Sequence, residues 1–279
     1  MTKAIATLSR TKQICDTYGV HPKKGYGQNF LIEENIAKAI AETCQQDDLA
    51  IEIGPGIGSL TQQLSLVCKQ VLSYEVDNRL LPILDQELKE YNNIKIIHKD
   101  FLLANLEEDI PVPFKQNGSI CVCANLPYNI TTPVLFKLFE SPLAIPQITV
   151  MVQKEVADRF LAGQGSPSYG AISVESGFLY SCQKIINVSK NCFYPSPKID
   201  STVIQFQRKS EVDDINHQEF FNLVKTCFHQ RRKTLYNNLK EAGYSKDVIQ
   251  EWLSRAQISE GCRAQELSVE EFCRLYKTK

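Results

Sequence analysis

Apolar and amphipathic segments alternate along most of the chain and predict a β-α-β-α order. The segments that resemble strands are short and apolar, as expected for strands buried on both faces. They are LAIEI, VLSYEV, IKIIHKD, CVCAN, ITVMVQ and STVIQFQ. The segments between the earlier strands carry apolar residues at helical spacing, and they are SLTQQLSLVC, NRLLPILDQELKEY and TTPVLFKLFE. This order predicts an α/β fold with a mostly parallel sheet covered by helices on both faces.

The residues before the first strand have a different pattern. Residues 6–18 predict a short helix that ends at Gly19, and KKGYGQNFL predicts a glycine-punctuated loop. The next segment, EENIAKAIAETC, has apolar residues on one helical face. We therefore expect a short helical and loop extension ahead of the sheet.

The pattern changes again near residue 209, after which only helical periodicity remains. Ser245 and Ser268 stand where helix caps are expected. We predict a first domain of residues 1–209 and a small all-α domain of residues 210–279. The loop LAGQGSPSYG at 161–170 is either a mobile lid or a plain connection.

The composition is that of an ordinary globular protein, with 43% hydrophobic and 23% charged residues in 279. No apolar run approaches the roughly 18 residues of a membrane span, and the first residues lack the apolar core of a secretory signal. We therefore expect a cytoplasmic protein. Ten cysteines without a CxxC pair and four histidines without ligand spacing predict free, mostly buried thiols and no metal site.

The net charge of −1 conceals two basic stretches. One includes Lys23 and Lys24 near the start of the chain. The other, HQRRKTLYNNLK, includes Arg231, Arg232 and Lys233 and no acidic residue. Local patches matter more than net charge for nucleic-acid binding. Each stretch is therefore either part of an RNA interface or an ordinary solvated helix face.

A glycine turn follows the first strand in IEIGPGIGSL. Gly54 and Gly56 leave the backbone open to close approach by a ligand, and we expect both to contact one. The turn misses the dinucleotide pattern GxGxxG, because its sixth position is Ser59. Pro55 also removes an amide donor that a pyrophosphate would use. The turn therefore favours a ligand without phosphates.

Two acidic residues end the next two predicted strands. Glu75 stands where a carboxylate accepts hydrogen bonds from a ribose diol. Asp100 and its neighbour Phe101 suit an adenine, with the acid accepting from the exocyclic amine and the ring beside the base. Asp77 is better explained as a helix cap or a solvated side chain. Together with the glycine turn, these acids predict S-adenosylmethionine as the ligand.

The stretch NLPY at the end of CVCAN predicts a clamp for a planar amine. The Asn125 side chain and the Leu126 main chain each offer a carbonyl oxygen, and Leu126 is held extended because it precedes Pro127. Two acceptors that bind the hydrogens of an adenine amine favour a pyramidal nitrogen whose lone pair can attack a methyl group. Tyr128 can stack on the base. A plain strand-ending turn is the alternative for this stretch taken alone.

A second aromatic residue precedes the two prolines of FYPSPK. Phe193 is the predicted partner for the other face of an extruded base. Tyr194 is the rival candidate, and packing against the helical domain is the other explanation.

These motifs occur together in a known order. GQNFL, EIGPGIGSLT, YEVD, KDF, NLPYNITTPVLFKL, MVQKEVADR, FYPSPKIDS and HQRRKTLYNNL closely resemble the ribosomal small-subunit RNA adenine dimethyltransferase family, the KsgA family. The resemblance extends from about residue 20 to about residue 240, and the segment after it is less distinctive.

The resemblance implies a seven-stranded class I methyltransferase fold with a small helical C-terminal domain. It implies transfer of methyl groups from S-adenosylmethionine to two adjacent adenosines near the 3′ end of small-subunit rRNA, late in assembly. A monomer is the default expectation for a protein that docks on a ribosomal subunit. It assigns cofactor contacts to Asn29, Leu31, Gly54, Glu75, Asp100 and Asn125. It assigns the target adenosine to Asn125, Leu126, Tyr128 and Phe193, and rRNA contacts to Lys23, Lys24, Arg231, Arg232 and Lys233.

Three other functions compete with this one. A large-subunit rRNA methyltransferase of the antibiotic-resistance type shares the fold and a similar clamp, but MVQKEVADR and RRKTLYNNL favour the small subunit. A non-catalytic assembly or transcription factor is disfavoured by the intact clamp. A dehydrogenase is disfavoured by the failed GxGxxG pattern.

Overall fold

The structure is a computed structural model that describes residues 3–117 and 120–279. It contains two compact units, of which the first comprises residues 1–157 with 183–208 and the second residues 158–182 with 209–279. The sequence predicted one boundary, between residues 209 and 210. Residues 158–182 instead belong to the helical unit, because their backbone is hydrogen-bonded there, as in the 2.9 Å bond from Gly165 N to Gln265 O.

The first unit is built on a seven-stranded sheet. The strands of the chain are β1 (Phe30–Leu31), β2 (Leu49–Ile53), β3 (Gln70–Glu75), β4 (Ile94–His98), β5 (Ile120–Asn125), β6 (Gln147–Gln153), β7 (Tyr180–Val188), β8 (Phe193–Tyr194) and β9 (Ser201–Arg208). The sheet order is β4-β3-β2-β5-β6-β9-β7. Strands β2 to β6 pair in parallel, and β9 is antiparallel to β6. The predicted mostly parallel sheet is therefore confirmed.

The strand order reverses between β2 and β5. From β2 the chain moves outward through β3 to β4, and it then returns to place β5 on the other side of β2. Loops from the two neighbours leave the sheet in opposite directions at such a point, so a crevice opens at the carboxyl ends of the strands. The glycine turn after β2 and the NLPY stretch after β5 both lie at this crevice.

Helices before and between the strands cover the sheet. In the first unit they are α1 (Leu8–Tyr18), α2 (Glu34–Ala41), α3 (Ser59–Val67), α4 (Leu81–Glu87), α5 (Leu106–Asp109), α6 (Val112–Asn117) and α7 (Thr131–Phe139), and α8 (Lys154–Phe160) follows β6. Helix α1 ends as predicted at Gly19, which has φ of 59° and donates to the carbonyls of Asp16 and Cys15. No helix in the described ranges is long and apolar enough to cross a membrane.

The second unit is helical. Its helices are α9 (Ala171–Leu179), α10 (His217–Cys227), α11 (Leu235–Glu241), α12 (Lys246–Arg255) and α13 (Val269–Lys277). The predicted caps Ser245 and Ser268 are confirmed, because each side chain accepts from a backbone N–H of the first turn. Trp252 anchors α12 to α13 by donating its Nε1–H to Leu275 O over 2.6 Å.

The sequence pattern missed α9 and β7. Helix α9, AISVESGFL, is buried around most of its circumference and contains glycine and serines, so it has no amphipathic period. Strand β7, YSCQKIINV, carries Gln183 and Lys184 at successive positions and lacks the apolar run of the other strands. In both cases tertiary packing determines a structure that the local pattern does not indicate.

Candidate active site

The crevice at the strand ends gathers most of the predicted site residues. Its walls come from the loop before β1, the glycine turn, the ends of β3 and β4, and the NLPY stretch. The predicted residues in these walls are Asn29, Leu31, Gly54, Gly56, Glu75, Asp100, Asn125, Leu126, Pro127 and Tyr128. Residues far apart in sequence meet here because parallel strands end at the same edge of the sheet.

The glycine turn requires glycine on geometric grounds. Gly54 and Gly56 have φ of 71° and 61°, in the left-handed region that other residues rarely adopt. A Cβ atom on Gly56 would also lie 3.2 and 3.3 Å from two ring atoms of Phe30. The turn therefore brings bare backbone to the surface of the crevice.

Glu75 ties this turn to the end of β3. One carboxylate oxygen accepts from Gly56 N over 3.2 Å, and the other accepts from Asp77 N over 2.8 Å. Burial raises the pKa of Glu75, and the two backbone donors offset part of that rise. Asp77 binds Arg79 Nε and Gln28 Nε2, each over 2.9 Å. Its side chain is only 2% exposed and the N-cap of α4 is Leu80, so the predicted helix cap or solvated side chain is wrong.

Asp100 begins a turn at the end of β4. Its Oδ1 accepts from Leu102 N over 2.9 Å, which holds the carboxylate in place, and the side chain is half-buried at the crevice. Phe101 is buried and meets Tyr74 edge to face, with ring centroids 5.4 Å apart. The acid and the apolar surface lie together as the adenine prediction requires.

The amide of Asn125 has a fixed orientation. Its Nδ2 donates to the main-chain oxygen of Asn29 over 3.2 Å. The reverse orientation would set two acceptors against each other, so Oδ1 is the atom left to accept a hydrogen bond. Sequence reasoning alone did not select Asn29, which came from the family resemblance, and the structure gives it a clear contact.

The backbone after Asn125 is also held firmly. Leu126 N donates to Met151 O over 3.2 Å, and Pro127 O accepts from Ile130 N over 3.1 Å. The Leu126 carbonyl precedes Pro127, which has no N–H of its own. The clamp is therefore built on a strand end and a turn with defined backbone geometry.

Tyr128 is positioned by a residue that the sequence did not suggest. Its phenol oxygen lies 2.9 Å from Ser201 Oγ, and Ser201 is buried at the start of β9. Burial raises the pKa of Tyr128, so the phenol stays protonated at neutral pH. Ser201 is 73 residues away in sequence, and no local signal connects the two.

Phe193 does not lie where the sequence predicted. The side chain is only 3% exposed and packs in the apolar core with Leu31, its strand partner across β1 and β8. It is not among the residues that line the crevice. Pairing of β8 with β1 buries the ring, although the nearby prolines indicated an exposed segment. Tyr194, the rival candidate, is only partly buried.

The basic residues differ in their availability. Lys23 is exposed, with its ammonium 5.7 Å from the centroid of the Tyr26 ring, while the side chain of Lys24 lies outside the described part of the structure. Lys233 forms an ion pair with Glu241. The stretch HQRRKTLYNNLK contains no acidic residue, but the fold brings one into contact with it.

Arg231 has a structural partner as well. Its guanidinium donates to the carbonyl oxygens of Pro167 and Ser166 over 2.5 and 3.3 Å. Tyr169 also binds Leu267 O over 2.9 Å. The loop at 161–170 is therefore hydrogen-bonded to other parts of the second unit at several points. This favours the interpretation of the loop as a plain connection over that of a mobile lid.

Glu52 is a crevice residue that sequence reasoning missed. It is 1% exposed on β2, and its carboxylate accepts from Ser73 Oγ over 2.7 Å. Burial raises the pKa of Glu52 to about 7, with the nearby Glu75 adding to the rise and hydroxyl donors offsetting part of it. An apolar pattern such as LAIEI gives no sign that its one acid is buried.

The raised pKa of Glu52 predicts a pH-dependent stability change. In the unfolded chain the carboxyl ionises near pH 4.5, whereas in the fold it resists ionisation up to about pH 7. The favourable contribution of this carboxyl to the free energy of unfolding is therefore complete below its pKa in the unfolded chain. It is lost as the pH rises through its pKa in the folded protein.

Glu52→Gln should stabilise the protein by up to roughly 3 kcal/mol near pH 8 and have little effect near pH 4. Urea unfolding at the two pH values measures this, with the exposed Glu90→Gln as control. An equal change at both pH values would contradict it.

Comparison with known proteins gives a consistent result. A family model described as ribosomal RNA adenine dimethylase matches residues 20–279. The "Ribosomal RNA small subunit methyltransferase A" of Staphylococcus aureus strain Newman is 42% identical over 99% of this chain and 96% of its own length. The protein of strain JH9 with the same name is 41% identical over the same shares.

Solved structures agree on the fold. A dimethyladenosine transferase from Plasmodium falciparum has a TM-score of 0.73 at 25% identity and covers 88% of this chain and 95% of its own. The 23S rRNA methyltransferase ErmE has a TM-score of 0.69 at 26% identity, with 90% and 99% covered. The predicted class I methyltransferase fold is confirmed, and with it S-adenosylmethionine as the cofactor. The chain belongs to the ribosomal RNA adenine dimethylase family.

Proposed function

We propose that the protein dimethylates N6 of two adjacent adenosines near the 3′ end of small-subunit rRNA, acting as a cytoplasmic monomer on an assembling subunit. The observation that carries the proposal is the fixed orientation of Asn125, which lines the crevice and whose Oδ1 is left to accept a hydrogen bond. An adenine amine has two hydrogens to donate, and the clamp offers two carbonyl oxygens within one strand end.

The crevice suits S-adenosylmethionine. Glu75 would hold the ribose diol, Asp100 with Phe101 the adenine, and the bare backbone of Gly54 and Gly56 leaves room for close approach. When bound, this cofactor supplies an electrophilic methyl group on its positively charged sulfonium. The carboxylates of Glu75 and Asp100 are both oriented by backbone N–H groups.

The clamp residues act on the target amine. Asn125 Oδ1 and the Leu126 carbonyl would accept its two N–H groups, which withdraws the lone pair from the ring and directs it into the crevice. The proton becomes acidic once the nitrogen carries a new bond, so no general base is needed. The residues thus provide orientation and electrostatic complementarity rather than proton transfer.

Tyr128 would hold the base outside the RNA stack. Stacking on an aromatic side chain contributes about 1–3 kcal/mol, which offsets much of the few kcal/mol that extrusion costs. The bond from the Tyr128 phenol to Ser201 restrains the ring before the base arrives. Stacking by Phe193 stays a prediction, and it requires the ring to leave the core.

Incubation with labelled S-adenosylmethionine and unmethylated small subunits tests the proposal, followed by mapping of the label. We expect label on two adjacent adenosines near the 3′ end. Large-subunit RNA without protein serves as the second substrate, because ErmE is a 23S rRNA methyltransferase of similar fold. Label on that RNA alone would favour the rival function.

Arg232 offers the cleanest test of the proposed RNA contact. It is exposed and forms no ion pair within the described part of the chain, whereas Arg231 and Lys233 have partners in the protein. Arg232→Ala should weaken subunit binding and reduce the magnitude of the salt slope by about 0.7–0.9, the value for one lost phosphate contact. Binding measured across a salt series checks this.

Arg255→Ala is the matched control for Arg232→Ala, because Arg255 is exposed in the same unit and paired with Glu251. It should leave the slope unchanged. A wild-type slope in Arg232→Ala would exclude the residue from the RNA interface.

A further inference from the structure

Four cysteines that are distant in sequence converge in the core of the first unit. Cys44 follows α2, Cys68 ends α3, and Cys121 and Cys123 lie on the same face of β5. All four are between 0% and 6% exposed. They form the thiol cluster, in the core layer that α2 and α3 bury against the sheet.

The sulfur atoms of the thiol cluster face one another. Cys121 Sγ lies 2.7 Å from Cys44 Sγ, and Cys44 Sγ lies 3.3 Å from Cys123 Sγ. The sulfurs of these three residues all lie within 4.8 Å of one another. Cys68 is buried in the same core layer. A buried cysteine that only fills space contacts carbon, as an alanine or valine would, so packing alone does not require sulfurs to converge.

We propose that Cys44, Cys121 and Cys123 form a binding site for a thiophilic d10 metal ion such as zinc, cadmium or copper(I). The inference is independent of the proposed function. Thiolate ligands select soft metals, whereas magnesium and calcium prefer oxygen ligands.

The geometry needs only a small adjustment. Zinc–sulfur bonds of about 2.3 Å set ligand sulfurs about 3.7–4.0 Å apart. Cys44 Sγ lies 2.7 and 3.3 Å from the sulfurs of Cys121 and Cys123, shorter than that range, and all three sulfurs lie within 4.8 Å of one another. Cys121 and Cys123 are fixed by the period of the strand, whereas Cys44 lies on the turn after α2 and can shift outward.

The charge of the ion offsets most of the charge of its ligands. Each thiol that binds the ion releases its proton to solvent, so three thiolates on a divalent ion leave one net negative charge instead of three. Affinity should therefore rise with pH.

Cadmium is a suitable probe, because its thiolate complexes absorb in the ultraviolet. The reduced, metal-free full chain is titrated with Cd²⁺ in competition with a chromophoric chelator. We expect one ion per chain, a charge-transfer band and proton release.

Cys44→Ala with Cys123→Ala should weaken binding by at least about 100-fold, since loss of ligands costs more than loss of their supporting contacts. The control is Cys15→Ala, a buried cysteine of α1 outside the thiol cluster, which should bind as the wild type does.

Circular dichroism shows whether each variant is folded, and Cys123→Ala alone replaces the double variant if that one is not. A charge-transfer band of equal strength in the wild type and the folded variant would overturn the proposal. A wild type that binds no Cd²⁺ and instead forms a Cys44–Cys121 disulfide with dilute peroxide would also overturn the proposal. The short distance between these sulfurs would then reflect redox chemistry.

Discussion

Replacement of Asn125 by alanine is expected to lower the rate of methyl transfer by about 100- to 1,000-fold, the usual loss when one oriented hydrogen-bonding group at a reacting centre is removed. The alanine removes Oδ1, the acceptor for one hydrogen of the target amine. The glycine turn and Glu75 are untouched, so cofactor affinity should stay within about a few-fold of wild type. Single-turnover rates on unmethylated small subunits, with cofactor binding by calorimetry, measure both effects.

The control for Asn125→Ala lies four residues further along the chain. Asn129 is exposed in the turn after the clamp and does not line the crevice. Asn129→Ala should therefore retain turnover. Asn125→Asp keeps an acceptor but loses the donor to Asn29 O, so an intermediate rate is expected. Near-normal turnover in Asn125→Ala would refute the clamp.

The parts of the site that the sequence predicted share one physical property. Gly54, Glu75, Asp100 and Asn125 each end a strand or begin the turn after it, and apolar runs mark where strands end. Parallel pairing then fixes their meeting place, since β2 to β5 all end at one edge. Local pattern and a general rule of sheet topology were therefore sufficient.

The parts that the sequence missed depend on contacts across long separations. Ser201 restrains Tyr128 from β9, and Glu241 neutralises Lys233 from α11. Phe193 is buried because β8 pairs with β1, a two-residue ladder that no periodicity reveals. The thiol cluster has the same origin, because two helix ends and a strand bring its sulfurs together and the spacing of cysteines predicted no metal site.

Glu75 is expected to have the largest effect on cofactor binding. Hydrogen bonds to a charged group contribute about 1.5–3 kcal/mol each, so Glu75→Ala should raise the Kd for S-adenosylmethionine by at least about 30-fold. Only the ionised carboxylate accepts from both ribose hydroxyls. Because burial raises the pKa of Glu75, wild-type affinity should fall as the pH drops through that raised value, at a higher pH than an exposed glutamate would show.

Glu75→Gln separates the charge from the shape of the side chain. It retains one acceptor for the ribose or for Gly56 N, so its affinity should lie between those of wild type and Glu75→Ala. It cannot ionise, and its Kd should therefore lose the pH dependence that Glu75 causes. Calorimetric titrations across the acidic range measure this, with Glu90→Ala as the exposed control and subunit binding unchanged in every variant. A wild-type Kd in Glu75→Ala, or the same pH profile in Glu75→Gln, would mean that the ribose is held elsewhere in the crevice.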